Sequence, residues 1–150
     1  MISYIRTNSD NADFQALVQQ LDQHLRAING EEQAFFTQFN ATNQLRHVIV
    51  AYYEGIPVGC GAMKPYSETI GEIKRMFVRE EYRGKGIAQG ILAALEMYAK
   101  ETGCTSCVLE TSRHLVSAIN LYKNSGYEQI PNYGQYEGVE MSICFQKNLV

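Results

Sequence analysis

Apolar and polar positions alternate at the start of the chain, then the spacing lengthens. ISYIR (2–6) has a period of two and predicts a short first strand. Beyond it Phe14, Leu17, Val18, Leu21, Leu25 and Ile28 fall on one face at helical spacing. Ser9 or Asp10 is the expected cap of that helix, and Asn29-Gly30 supplies a left-handed stop. EEQAFFTQF (31–39) predicts a second short helix that turns Phe35, Phe36 and Phe39 to the core. LRHVIVAYY (45–53) and IPVGCGAM (56–63) are rich in Val, Ile and Tyr, and Glu54-Gly55 joins them as a β-hairpin. Gly59 and Gly61 sit two apart on one face of the second arm, so something bulky crosses there, a helix or a ligand.

GEIKRMFV (71–78) is a fourth strand, and Ile87, Ile91, Leu95 and Tyr98 then resume the helical period up to Gly103. TSCVLET (105–111) is almost continuously apolar and predicts a central strand. The stretch from Ser112 to Tyr127 predicts a helix capped by Thr111 or Ser112 and stopped by Gly126. In GVEMSICFQ (138–146), Val139, Met141, Ile143 and Phe145 alternate with polar partners, a last strand with one wetter face; YEQI (127–130) adds a short one. The order β-α-α-β-β-β-α-β-α-β predicts an α/β (α+β) domain spanning 1–150, a mixed sheet with helices on both faces.

Composition narrows the function classes. A net charge of -3 and a pI near 5.6 argue against bulk nucleic-acid binding, while leaving room for a local basic pocket. MISYIRTNSD has no apolar leader core, and no apolar run approaches the ~20 residues a membrane helix needs. A cytoplasmic enzyme with no membrane or nucleic-acid partner is the expectation. Cys104 and Cys107 form a C-x-x-C that runs from a helix end into a strand, the reverse of a redox motif. Cys60 and Cys144 stand too far apart to complete a zinc site, so four reduced, buried thiols are expected. His24, His47 and His114 show no metal spacing, and no metal is expected.

The chemistry concentrates in EYRGKGIAQGIL (81–92), where a strand leads through glycines into a helix. The first N–H groups of a helix have no internal partner and glycines let an anion approach them, so this is a phosphate cradle. Arg83 and Lys85 add full charges, with Arg79 upstream. It is not a P-loop, because Gly86 follows the Gly-Lys pair where a hydroxyl is needed for magnesium. A dinucleotide fingerprint fits Gly84 and Gly86 but has Gln89 at its third glycine, with Gly90 one residue late; Glu110 would then be its ribose-binding acid. Upstream, Glu72, Lys74 and Arg75 interrupt an apolar strand, which is costly unless they serve a site.

Arg83, Gly86 and Ala88 match the pattern [QR]-x-x-G-x-[GA], and Ala118, Tyr122, Gly126 and Tyr127 in AINLYKNSGY match a later motif. On these residues the chain resembles the GNAT acyl-CoA N-acyltransferases over roughly 45–147; EIKRMFV and IPNYGQY look like small bacterial members. The resemblance implies a sheet splayed between strands four and five, parting at a bulge after Met76, with the pantetheine arm of acetyl-CoA in the gap. Met76, Phe77 and Val78 would offer it backbone hydrogen bonds, and Arg83, Gly84, Lys85, Gly86, Ile87 and Ala88 would wrap the pyrophosphate. A family asparagine is replaced by Leu115, which removes one expected contact. Tyr122 matches the family's general acid, and Glu72 is the candidate base for a primary amine of a small molecule or peptide. Lys74, Arg75, Thr111, Tyr133 and Tyr136 are candidate acceptor contacts, the first two for a carboxylate, with PNYGQYEG (131–138) as a closing loop. Dimers are common among such folds. A non-catalytic acyl-CoA or nucleotide sensor and a nicotinamide-dependent oxidoreductase are the alternatives.

Overall fold

A computed structural model describes residues 1–30 and 44–150, and among these the two periodicities settle into one seven-stranded sheet and three α-helices. The strands are β1 (Ile2–Thr7), β2 (His47–Tyr53), β3 (Ile56–Pro65), β4 (Ile70–Val78), β5 (Ser106–Ser112), β6 (Glu128–Ile130) and β7 (Ser142–Asn148). The helices are α1 (Ala12–Asn29), α2 (Ile87–Glu101) and α3 (Val116–Asn124). Spatial order is β1-β2-β3-β4-β5-β7-β6, antiparallel except where β4 meets β5. The expected helix at 31–39 lies outside the described residues.

One face of the sheet carries Val48, Val50, Cys60 and Ala62, and α1 covers it with Phe14, Leu17 and Val18. The other carries Ile49, Met63, Leu109 and Phe145, covered by Ile87, Ile91 and Leu95 of α2 and by Tyr122 of α3. The apolar stripe of α1 divides in use. Phe14 to Leu21 are buried in the core, whereas Leu25 and Ile28 are half-buried and wall a cleft.

The crossing at Gly59 and Gly61 is made by α2. A Cβ on Gly59 would stand 2.9 Å from the Phe77 carbonyl oxygen and 3.0 Å from Ile91. Because one of these is backbone, Gly59→Ala should destabilise the fold by about 1–3 kcal/mol, read as a lower denaturant midpoint at unchanged m-value. Gly90 has a similar reason: a Cβ there would meet the Tyr4 hydroxyl at 1.9 Å. The late glycine of the apparent dinucleotide fingerprint thus seats a tyrosine of β1.

Several local expectations are corrected. Asn11 caps α1, its side chain accepting from the Phe14 N–H, because Ser9 is engaged with Leu45 across the sheet edge. Thr111 and Ser112 remain in β5, and α3 starts after Leu115 without a side-chain cap. Ser142 to Phe145 are all buried, so β7 has no wet face in its first half; it lies between β5 and β6 rather than at an edge. Glu54-Gly55 turns the hairpin as expected, both residues at positive φ. All four cysteines are free and buried. No helix among the described residues is long and apolar enough to cross a membrane.

Candidate active site

β4 and β5 run side by side only from Ile70–Ile73 against Ser106–Leu109. Both strands continue, to Val78 and Ser112, without pairing with each other. A parallel ladder that stops midway leaves backbone N–H and C=O groups needing partners along the diverging edges. The parting is earlier than the sequence suggested, and the bulge sits at Arg75–Met76 rather than after Met76. On β3 Cys60 faces Phe77 while Ala62 faces Lys74, so Gly61 alone opposes Arg75 and Met76. Arg75 takes φ +59°, which a side-chain-bearing residue adopts only when its surroundings hold it. Its Nη2 donates to Asp22 Oδ1 of α1 at 2.5 Å, and the Cys60 thiol donates to its carbonyl oxygen.

A cleft of about 790 Å³ starts at this gap. Met76, Phe77 and Val78 form one wall, and Leu115 with Ala118 and Tyr122 of α3 the other. Its far end is the turn before α2. Gly84 and Gly86 both have φ +79°, and a Cβ on Gly84 would meet nothing within 4 Å. Over Gly86 the nearest atom is Gln89 Oε1 at 3.8 Å, and no side chain caps α2. The turn is therefore open, lined by bare backbone, and turned into the cleft with Arg83, Ile87 and Ala88. Arg83 donates from Nε to the Val78 carbonyl at 2.8 Å, which anchors the turn to the end of β4. Lys85 is exposed and is not among the lining residues.

A smaller recess of about 110 Å³ continues from the same gap toward α1. Met76, Leu115, Ala118 and Tyr122 line both spaces, so Tyr122 stands where they meet. Its ring is buried against Tyr127 and Phe145, at 5.9 and 6.1 Å between centroids. Burial, and then the nearby charge of Glu110, push its phenol above the ordinary range, so it keeps its proton at neutral pH.

Lys74, Arg75 and Thr111 line the recess as expected. Glu72 lines neither space. It is buried, its Oε2 accepting from the Tyr133 hydroxyl at 2.6 Å and its Oε1 standing 3.5 Å from Lys74 Nζ. Tyr133 and Tyr136 are not among the lining residues either. Tyr133 is spent on Glu72, and Tyr136 is buried against it with ring centroids 5.7 Å apart. The carboxylate that does line the recess is Glu110, near the end of β5. It accepts from Ser142 Oγ at 2.7 Å, and burial raises its pKa to about 7 against the pull of that bond and of Lys74. The signal for it was an acid at the carboxyl end of a parallel strand, where open α/β sheets hold ligands. His24, expected to be structural, also lines the cleft, its pKa lowered by burial and by Arg83; His114 lines it beside Leu115.

Residues 12–127 match the family model described as the acetyltransferase (GNAT) family. An IAA acetyltransferase of Azospirillum brasilense is 31% identical over 136 residues, covering 89% of this chain and 88% of that protein. A crystal structure from Klebsiella pneumoniae assigned to the acyl-CoA N-acyltransferases superimposes with a TM-score of 0.84 at 27% identity, over 100% of this chain and 99% of that one. A GNAT family acetyltransferase from Elizabethkingia anophelis, crystallised with acetyl-CoA bound, shares the fold at a TM-score of 0.68 and 18% identity, over 98% and 97% of the two chains. The chain belongs to the GNAT acetyltransferase family and is an acetyl-CoA-dependent acyltransferase.

Proposed function

We propose that this enzyme moves the acetyl group of acetyl-CoA to a primary amine by direct attack, with Tyr122 as general acid and Glu110 as general base. The observation that carries the reading is the meeting of three features in one continuous space: an open glycine turn at a helix start, a stretch of β4 that has parted from β5, and a buried tyrosine between them. The fit to coenzyme A is one of shape and charge. Gly84 and Gly86 leave room for a diphosphate on the first N–H groups of α2, and Arg83 and Lys85 are near it in sequence. The edge of β4 from Met76 to Val78 has the hydrogen-bonding groups for an extended amide-bearing arm.

Acetyl-CoA supplies the acetyl thioester. Everything else falls to the chain. An alkylammonium, with a pKa of about 10.4, must lose a proton before its nitrogen can attack. Glu110 takes that proton, directly or through a water, because its carboxylate lines the acceptor recess and titrates near neutrality. As the new C–N bond forms, a backbone N–H at the Arg75–Phe77 bulge faces the developing oxyanion. When the C–S bond breaks, the Tyr122 hydroxyl gives its proton to the sulfur, and the second proton of the acylated nitrogen leaves to the Tyr122 phenolate, directly or through a water, so the amide is neutral and the acid is reloaded. Glu72 serves this scheme indirectly, by holding Lys74 beside Glu110.

The test is thiol release from acetyl-CoA over a panel of primary amines, run beside thermal unfolding with and without acetyl-CoA. Release with at least one amine, together with a raised Tm, is the expected result. A raised Tm with no release across the panel would replace the transferase reading by that of an acyl-CoA sensor.

A further inference from the structure

The sign of charge at the acceptor recess turns on Glu110. The two cations of the recess are already engaged by carboxylates of the same chain. The Arg75 side chain is 2% exposed and its Nη2 is paired with Asp22, while its buried Nε has no hydrogen-bond partner among the described residues. Lys74, with a side chain 6% exposed, faces Glu72 at 3.5 Å. Glu110 accepts a hydrogen bond from a neutral hydroxyl, that of Ser142. With Glu110 ionised, it and the two carboxylates behind the lining, Asp22 and Glu72, stand against Lys74 and Arg75, an excess of one carboxylate. Arg113, which follows β5, is exposed and directs its Nε to the Glu140 carbonyl. The remaining wall, Leu21, Leu25, Ile73, Met76 and Leu115, is apolar.

We infer that the acceptor is a primary amine on an uncharged or cationic framework, and that a carboxylate next to the amine is selected against. This rests on the acetyl-transfer reading and reverses the expectation that Lys74 and Arg75 hold an acceptor carboxylate. An ammonium entering the recess meets Glu110. A carboxylate entering with it meets Glu110 as well, finds both basic groups engaged, and loses its water. Discrimination of this kind works by repulsion rather than by added contacts.

The experiment compares matched pairs that differ by one carboxylate: putrescine with ornithine, and 2-phenylethylamine with phenylalanine. Two readouts are taken at saturating acetyl-CoA or CoA: kcat/KM for thiol release, and the acceptor concentration that protects the CoA-bound protein from unfolding. The proposal expects the decarboxylated member of at least one pair to be favoured tenfold or more, in turnover or in protection. Selective protection by amines without thiol release would leave the acceptor class standing while the transfer reading fails. Equal or better performance by the amino acids, or no response to either member in both readouts, would overturn the proposal. In Glu72→Gln the Lys74 ammonium loses its counter-charge, so the amine-to-amino-acid ratio should fall at least threefold. A folded variant with an unchanged ratio would count against it.

Discussion

Tyr122→Phe should lower kcat by about 10²–10⁴-fold while acetyl-CoA affinity stays within about twofold. The substitution removes one oxygen and keeps the ring, so the contacts with Phe145 and Tyr127 survive. What is lost is a proton held where the two spaces meet. Burial and the neighbouring Glu110 keep the phenol protonated at neutral pH, so the acid is loaded there. The checks are steady-state kinetics and a direct binding measurement with CoA. A variant that turns over like the parent would remove Tyr122 as acid, and a matching loss of CoA affinity would make it a binding residue instead.

Glu110→Gln is the second large effect, a loss of about 10²–10⁴-fold in kcat/KM at pH 7 with a changed pH profile. A base works only when ionised. With its pKa raised to about 7, the parent enzyme should lose activity as pH falls through that value, and the variant should lack this limb. An ammonium bound beside Glu110 favours its ionised form, so the limb in kcat should lie below that in kcat/KM. Glu72→Gln should keep an acid limb but move it below that of the parent, because the Glu72 charge helps raise the Glu110 pKa and offsets Lys74. A limb that disappears in Glu72→Gln and persists in Glu110→Gln would return the base to β4.

The same shift makes a stability prediction of opposite sign. The folded state holds the Glu110 proton more tightly than the unfolded chain, whose carboxyl titrates near 4.5. Below about pH 4.5 both states are protonated and nothing is lost. As pH rises from there through about 7 the folded state is progressively destabilised, fully so above it. Glu110→Gln should therefore raise Tm at pH 8 relative to the parent and leave it unchanged near pH 4. A variant that is less active and more stable at pH 8 is the mark of a carboxylate kept for function.

Much of the site was legible because its signals are local. Arg83-Gly-Lys-Gly needs only the strand before it and the helix after it to declare an anion cradle, and the open backbone over Gly84 follows from residues adjacent in sequence. The helix faces of α1 and α2 were legible for the same reason, since a period of 3.6 is a property of consecutive residues. The choice between Glu72 and Glu110 was not legible. Both are acids on apolar strands, and they differ only in what crosses them. Tyr133, 61 positions away, closes on Glu72, whereas Glu110 lies beside the place where the β4–β5 ladder stops. The partner of Arg75 was not legible either: it lines the recess as a basic residue upstream of a cradle suggested, but Asp22, with which it pairs, lies 53 positions earlier on α1.

By itself, the sequence determined that a diphosphate-sized anion can rest at the start of α2 and that a tyrosine of the later motif stands on α3. Local periodicity and turn chemistry carry that information over a dozen residues at a time. Tertiary structure alone decided which carboxylate lines the recess, where the sheet parts, and that Lys74 and Arg75 each face a carboxylate. The physical reason is that burial and charge pairing are set by atoms a few ångströms apart in space, brought together from strands and helices that the chain order keeps far apart.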